Sequence, residues 1–241
     1  MYKGEPVALK HMRMFQDSDQ RNIRRKFCRE TLVWQHLHHP FIVPLIGIDT
    51  ESFPSSLCMV SPWMKNGTVV RYLASMGPED RQDRIQEIAQ GLCFLHSRNV
   101  VHGDLRGSNI LVDDTGHACL TDFGLTVLSD ATAPTSTRAG SVRWMAPETL
   151  DPTACGHRDF ARTPASDIYA YACVCLELYT GHPPFHEICP YDAPVIYKVV
   201  GGLRPSRPAG DSSIPDRIWK LMQRCWSHNS VDRPSIVDVV L

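Results

Sequence analysis

The segment Val100-Val101-His102-Gly103-Asp104-Leu105-Arg106-Gly107-Ser108-Asn109-Ile110-Leu111-Val112, with Thr121-Asp122-Phe123-Gly124 shortly after it, is the most informative part of this 241-residue chain. Two short apolar runs, Asn109 to Val112 and Ala118 to Thr121, read as strands on either side of an Asp-Asp-Thr-Gly turn at Asp113 to Gly116. Three polar residues stand beside them: Asp104, Asn109 five positions on, and Asp122 thirteen beyond that. Their oxygen donors suit a hard divalent cation, and an aspartate can also orient a hydroxyl and its proton. A generic acidic turn such as Asp113-Asp114 has the charge alone. It does not reproduce an aspartate and an asparagine bracketing Arg106 ahead of an apolar strand.

Working outward, the chain changes character twice. Pro6-Val7-Ala8-Leu9-Lys10 reads as a strand ending in a basic residue, and Asp17 to Leu37 is helical in character, with Asp19 a candidate cap. Ile42 to Ile48 and Ser56 to Val60 read as strands separated by a turn around Ser52-Phe53-Pro54. After Pro62-Trp63-Met64-Lys65-Asn66-Gly67, residues Ile85, Ile88, Ala89, Leu92 and Leu95 recur at helical spacing and predict a long buried helix over 81–98. Thr126 to Arg138, rich in Thr, Ser, Ala and Pro without periodicity, is expected to be a surface loop. A small mixed lobe, a connector and a larger helical lobe form a two-lobed plan with a cleft between them.

Composition sets further bounds. A hydrophobic fraction of 43% is enough for a sizeable core. The 25 basic and 26 acidic residues leave a net charge of -1, which gives no long-range field to draw in nucleic acid or anionic lipid. Nine scattered cysteines, with Cys173 and Cys175 inside an apolar run, read as reduced and mostly buried thiols. Cys225 with His228 is a single pair, and no zinc site is expected. The first residues lack the apolar stretch of a signal peptide. The run Ile168 to Leu178 is short and contains Glu177, so it is expected to be a core helix and not a membrane span. The expectation is a soluble cytoplasmic or nuclear protein with no nucleic-acid or membrane partner.

Val7-Ala8-Leu9-Lys10, Glu30, His102 to Asn109, Asp122-Phe123-Gly124, Ala146-Pro147-Glu148, Asp167 and Arg233 occur in an order and at spacings that resemble a eukaryotic-type protein kinase, nearest the tyrosine-kinase-like group of Ser/Thr kinases. The resemblance covers nearly the whole chain. It implies an α+β, bilobal protein-kinase-like fold: one domain over 1–241, with a reduced N-terminal sheet lobe over 1–60, a hinge over 61–67 and a mainly helical C-terminal lobe over 68–241. It also implies ATP and Mg²⁺ as cofactors and proteins as substrates. In this likeness Lys10 lies over the nucleotide's phosphates and is aimed by Glu30. Asp104 handles the acceptor hydroxyl, Arg106 contacts the transferred phosphate, and Asn109 and Asp122 hold the metal. Ser61, Pro62 and Met64 would meet the adenine at the hinge, Ser61 as a small gatekeeper, with Ala8 and Leu111 as further nucleotide contacts. Glu148 and Arg233 would form a buried ion pair, and Asp167 would anchor the backbone beside His102.

The segment Gly140-Ser141-Val142-Arg143-Trp144-Met145-Ala146-Pro147-Glu148 resembles the Ser/Thr members of the group, with Ser141 replacing Thr, whereas Arg106 also occurs in some tyrosine kinases. The implied acceptors are therefore Ser and Thr, with Tyr left open. Two departures stand out. No Gly-x-Gly-x-x-Gly precedes Lys10, so the chain is expected to be N-terminally truncated. Gly103 also stands where most kinases carry Arg, so phosphorylation at Thr132, Thr135, Ser136 or Thr137 is not expected to switch activity through that position. The alternative to an active kinase is a kinase-fold binding or scaffold module with weak or no catalysis.

Overall fold

The structure, a computed structural model, describes residues 1–11, 20–53, 57–77, 79–122, 142–188, 191–209 and 214–240. It begins with strand β1 (Val7–His11), helix α1 (Gln20–Trp34) and strands β2 (Gly47–Asp49) and β3 (Cys58–Pro62). The three strands form an antiparallel sheet in the order β1-β3-β2. Helix α1 turns Phe27, Glu30, Thr31 and Trp34 inward at helical spacing, and its last turn is pinned by the Trp34 indole, which donates to the Val43 carbonyl at 2.6 Å. The expected cap Asp19 and the surface loop 126–138 lie outside the described residues.

One strand differs from its expectation. Residues 42–48 do not form a continuous strand: Ile42 makes an isolated bridge to Leu120, and β2 starts only at Gly47. Pro44 lies in the middle of that run and has no N–H for a ladder. The flanking amides instead bond two different partners, Val43 to the Leu120 carbonyl and Ile46 to the Val60 carbonyl, so the run joins the sheet to the second half of the molecule.

The rest of the described chain is mostly helical: α2 (Val69–Met76), α3 (Arg81–Ser97), the hairpin β4 (Ile110–Val112) and β5 (Ala118–Leu120), then α4 (Pro147–Leu150), α5 (Pro164–Thr180), α6 (Asp192–Val200), α7 (Asp216–Cys225) and α8 (Ile236–Val240). The class is α+β with a bilobal plan. Helix α5 is buried on every side from Ser166 to Tyr179, the signature of a helix at the centre of a core. Its start is fixed by Pro164 in the first turn and by a reciprocal capping box between Thr163 and Ser166. Burial pushes the Cys173 thiol up to about 12, as expected of an inert core thiol. Among the described residues no group of three or more His, Cys, Asp or Glu side chains is arranged to hold a metal ion, and no helix is long and apolar enough to cross a membrane.

The connector between the two parts is tied to the β4-β5 hairpin. Asn66 donates through Nδ2 to the Asp113 carbonyl at 2.5 Å, and the Gly67 carbonyl accepts the Val112 amide at 2.9 Å.

Candidate active site

Lys10 is the fourth residue of β1, and the antiparallel register places it opposite Met59 and Ala8 opposite Ser61. Alternation puts Ala8 and Lys10 on the same face of the strand. The Lys10 ammonium bonds Glu30 Oε1 at 2.7 Å and also contacts the Asp122 carboxylate. Glu30 is buried while Asp122 is 44% exposed, so the lysine links a fixed carboxylate to an accessible one. Burial pulls the Lys10 pKa down, but Glu30 and Asp122 outweigh it and hold the ammonium above its ordinary value.

Asp104 and Asn109 sit on the irregular segment that leads into β4. The Asn109 amide nitrogen donates to the Asp104 carbonyl at 2.8 Å and to its Oδ2 at 3.1 Å. Its Oδ1 accepts only a 3.3 Å bond from the neighbouring Ser108 hydroxyl, among the bonds to described residues. The Asn109 carbonyl accepts the Thr121 amide at 3.0 Å, which puts Asp122 one residue from the point of pairing. Asp122 has φ +66, a conformation that Asp tolerates better than most residues and that is frequent at functional sites. The Arg106 guanidinium lies 3.7 Å from Asp104 Oδ2.

Helix α5 holds this segment through two carboxylates. Asp167 accepts the His102 amide on Oδ2 and the Gly103 amide on Oδ1, both at 2.8 Å, and His96 Nε2 lies 2.9 Å from its Oδ2. Glu177 Oε2 accepts the Gly107 amide at 2.9 Å and the Trp144 indole at 2.8 Å. Burial pushes the Glu177 carboxyl up, and these two donors with the Arg106 charge only partly offset it. The approach at Gly107 is close: a Cβ there would lie 2.5 Å from Val70 and 2.8 Å from the Glu177 carboxyl carbon. The expected Glu148–Arg233 pair is bidentate and buried, at 2.6 and 2.7 Å.

The connector residues lie where the sheet meets the helical part. Ser61 and Pro62 end β3, the Trp63 amide donates to the Pro6 carbonyl, and the Met64 carbonyl accepts the Gly67 amide. Leu111 pairs with Cys119 and bridges to Thr68. Two residues that hold this segment, Glu177 and Arg162, were not expected from the sequence to do so. Glu177 did leave a signal, because a lone carboxylate in an apolar run has to find partners when the helix is buried. Arg162 left none.

The sequence matches the family described as "Protein tyrosine and serine/threonine kinase" over residues 2–241. The chain belongs to this family of kinases. The kinase domain is 29% identical over 249 residues to the Serine/threonine-protein kinase STY46 of Arabidopsis thaliana, an alignment that covers 100% of this chain and 40% of the relative. It is 28% identical over 247 residues to the Serine/threonine/tyrosine-protein kinase HT1 of the same plant, covering 100% and 60%. It is also 31% identical over 246 residues to the Probable serine/threonine-protein kinase drkD of Dictyostelium discoideum, covering 99% and 18%. The kinase domain thus spans 40% of the length of the first of these relatives. Use of ATP and a divalent metal is a general property of the family.

Proposed function

We propose that this kinase domain transfers the γ-phosphate of ATP to serine and threonine hydroxyls of protein substrates. The observation that carries the reading is the linkage of Glu30, Lys10 and Asp122 in one chain of contacts, with Asn109 joining the same hairpin to Asp104. Residues 61–67 serve as the hinge between a sheet lobe over 1–60 and a helical lobe over 68–241. Ala8, Ser61, Pro62, Met64 and Leu111 surround the adenine.

Lys10 stays protonated through the neutral range and places a fixed positive charge at the phosphates, aimed by Glu30. Asp104 orients the acceptor hydroxyl and takes up its proton. Arg106, beside Asp104, offers a guanidinium to the transferred phosphoryl group. Asn109 gives its amide hydrogens to Asp104 and keeps Oδ1 for the metal, and Asp122 offers an exposed carboxylate. These are hard oxygen donors of the number that Mg²⁺ takes from protein when phosphates and water complete its shell, so the residues fit. The bound ion would neutralise charge on the phosphates.

The test is phosphate transfer from Mg-ATP to a generic protein substrate, followed by identification of the phosphorylated amino acid. Phosphoserine and phosphothreonine are expected. Asp104→Asn should lower the rate by about 10²-fold or more while nucleotide affinity is kept, and Asp122→Ala should abolish metal-dependent nucleotide binding. Transfer that survives both substitutions would overturn the reading.

A further inference from the structure

Gly103 immediately precedes Asp104 and has no side chain with which to fix itself. Its φ of +77 lies in the left-handed region that glycine enters freely, so nothing in the residue restrains the backbone there. Its neighbours do. The amide of Gly103 is held by Asp167 at 2.8 Å, and its carbonyl accepts Nε–H of Arg162 at 2.9 Å. That carbonyl and the Asp104 amide belong to one planar peptide unit. The amide edge of the same plane reaches His102 Nδ1 at 3.3 Å. The peptide that aims Asp104 is therefore gripped on one edge by a charged donor at normal length and on the other by a longer, neutral bond.

Arg162 is placed for this task. It directly precedes Thr163, whose capping box fixes the first turn of α5, and its guanidinium lies 5.0 Å from the Phe160 ring centre. Arg162 also lines a small cavity of about 20 Å³ together with Gly103, Asp104, Trp144 and Asp167. Bonds from charged donors are stronger than those between neutral groups.

We propose that Arg162 is a positioning residue for phosphoryl transfer: it locks the Gly103–Asp104 peptide and so holds the Asp104 carboxylate toward the acceptor hydroxyl. The proposal rests on the role assigned to Asp104 above. In this role Arg162 acts on Asp104 through the backbone, by its bond to the Gly103 carbonyl. A glycine at 103 makes that outside grip necessary, because nothing at the residue itself opposes rotation of the peptide.

The experiment compares the parent chain with Arg162→Ala and Arg162→Lys in two readouts. One is amide hydrogen exchange over the peptide 102–109 and over α5, and the other is steady-state transfer with nucleotide affinity measured separately. In Arg162→Ala, exchange over 102–109 should rise about tenfold while α5 stays protected. The kcat should fall about 10- to 100-fold with nucleotide affinity within about twofold of the parent. Arg162→Lys keeps a charged donor and should recover most of both losses. The proposal is overturned if exchange and kcat stay within about twofold of the parent, if Lys does no better than Ala, or if α5 loses protection to the same degree. Should the parent show no transfer that Asp104→Asn removes, the kinase reading fails on its own. The exchange arm then still decides whether Arg162 holds the peptide.

Discussion

The Asp104 amide is bonded by a neighbour that is itself an ionisable group. The His102 ring is fully buried, and Nδ1 accepts the Asp104 amide, which it can do only while that nitrogen carries no proton. Burial lowers the His102 pKa below its ordinary 6.5, and the opposing pull of Asp167, Asp104 and Asp122 does not restore it. The native state then binds this proton less readily than the unfolded chain. Its contribution to stability is complete above pH 6.5 and is lost as pH falls through the depressed folded value. Within that window the free energy of unfolding should fall by about 1.4 kcal/mol per pH unit more steeply in the parent than in His102→Phe. Denaturant titrations between pH 7.5 and 5 measure the difference, and parallel slopes for the two chains would mean that the folded ring takes up its proton normally.

At the scale of elements, α5 does more than fill the core, because two of its buried carboxylates fix two loops at once. Glu177 satisfies the Gly107 amide of the segment before β4 and the Trp144 indole of the segment before α4, both through Oε2. Glu177→Ala should leave two buried donors without an acceptor and cost about 1–3 kcal/mol for each. Glu177→Gln keeps a carbonyl oxygen for both donors and escapes the burial penalty of a charge, so it should retain near-parent stability. Thermal melts of the two variants settle this, and equal losses would show that charge, not acceptance, is what α5 supplies. Helix α5 was legible from Ile168 to Leu178 because a run apolar at every position but Glu177 has only one place to go, and the β4-β5 hairpin was legible from its turn. The Asp167 anchor was implied by the resemblance, but the bonds of Glu177 and of Arg162, just ahead of α5, were not, because they reach partners about 70 and 60 positions away and no local pattern encodes such a pairing. Residues 42–48 misled for a similar reason. Their apolar pattern fits a strand, but Pro44 and contacts to two different sheets override it.

Across the whole molecule, the proposed site draws on both parts of the chain: Lys10 and Glu30 lie with the sheet, Asp104, Asn109 and Asp122 around the β4-β5 hairpin. The fold that carries it is held by ties that lie far from it. Arg233, near the end of the chain, is one of these, since its guanidinium bonds both oxygens of Glu148 and also the carbonyls of Ala165, Ser227 and His228. One buried cation thus joins α4, the first turn of α5 and the segment before α8. Replacing it leaves the Glu148 carboxylate buried with its charge uncompensated, a loss worth about 3–5 kcal/mol. For a chain of this length that corresponds to a fall in melting temperature of roughly 6–20 °C. Arg233→Met should show that loss in denaturant unfolding, while transfer per folded molecule stays close to the parent at low temperature. The double variant Arg233→Met with Glu148→Gln removes both charges and should recover a substantial part of the stability, because most of the penalty belongs to the orphaned carboxylate. If the double variant is as unstable as the sum of the singles, the two residues act independently and the tie is not what joins α4, α5 and the segment before α8.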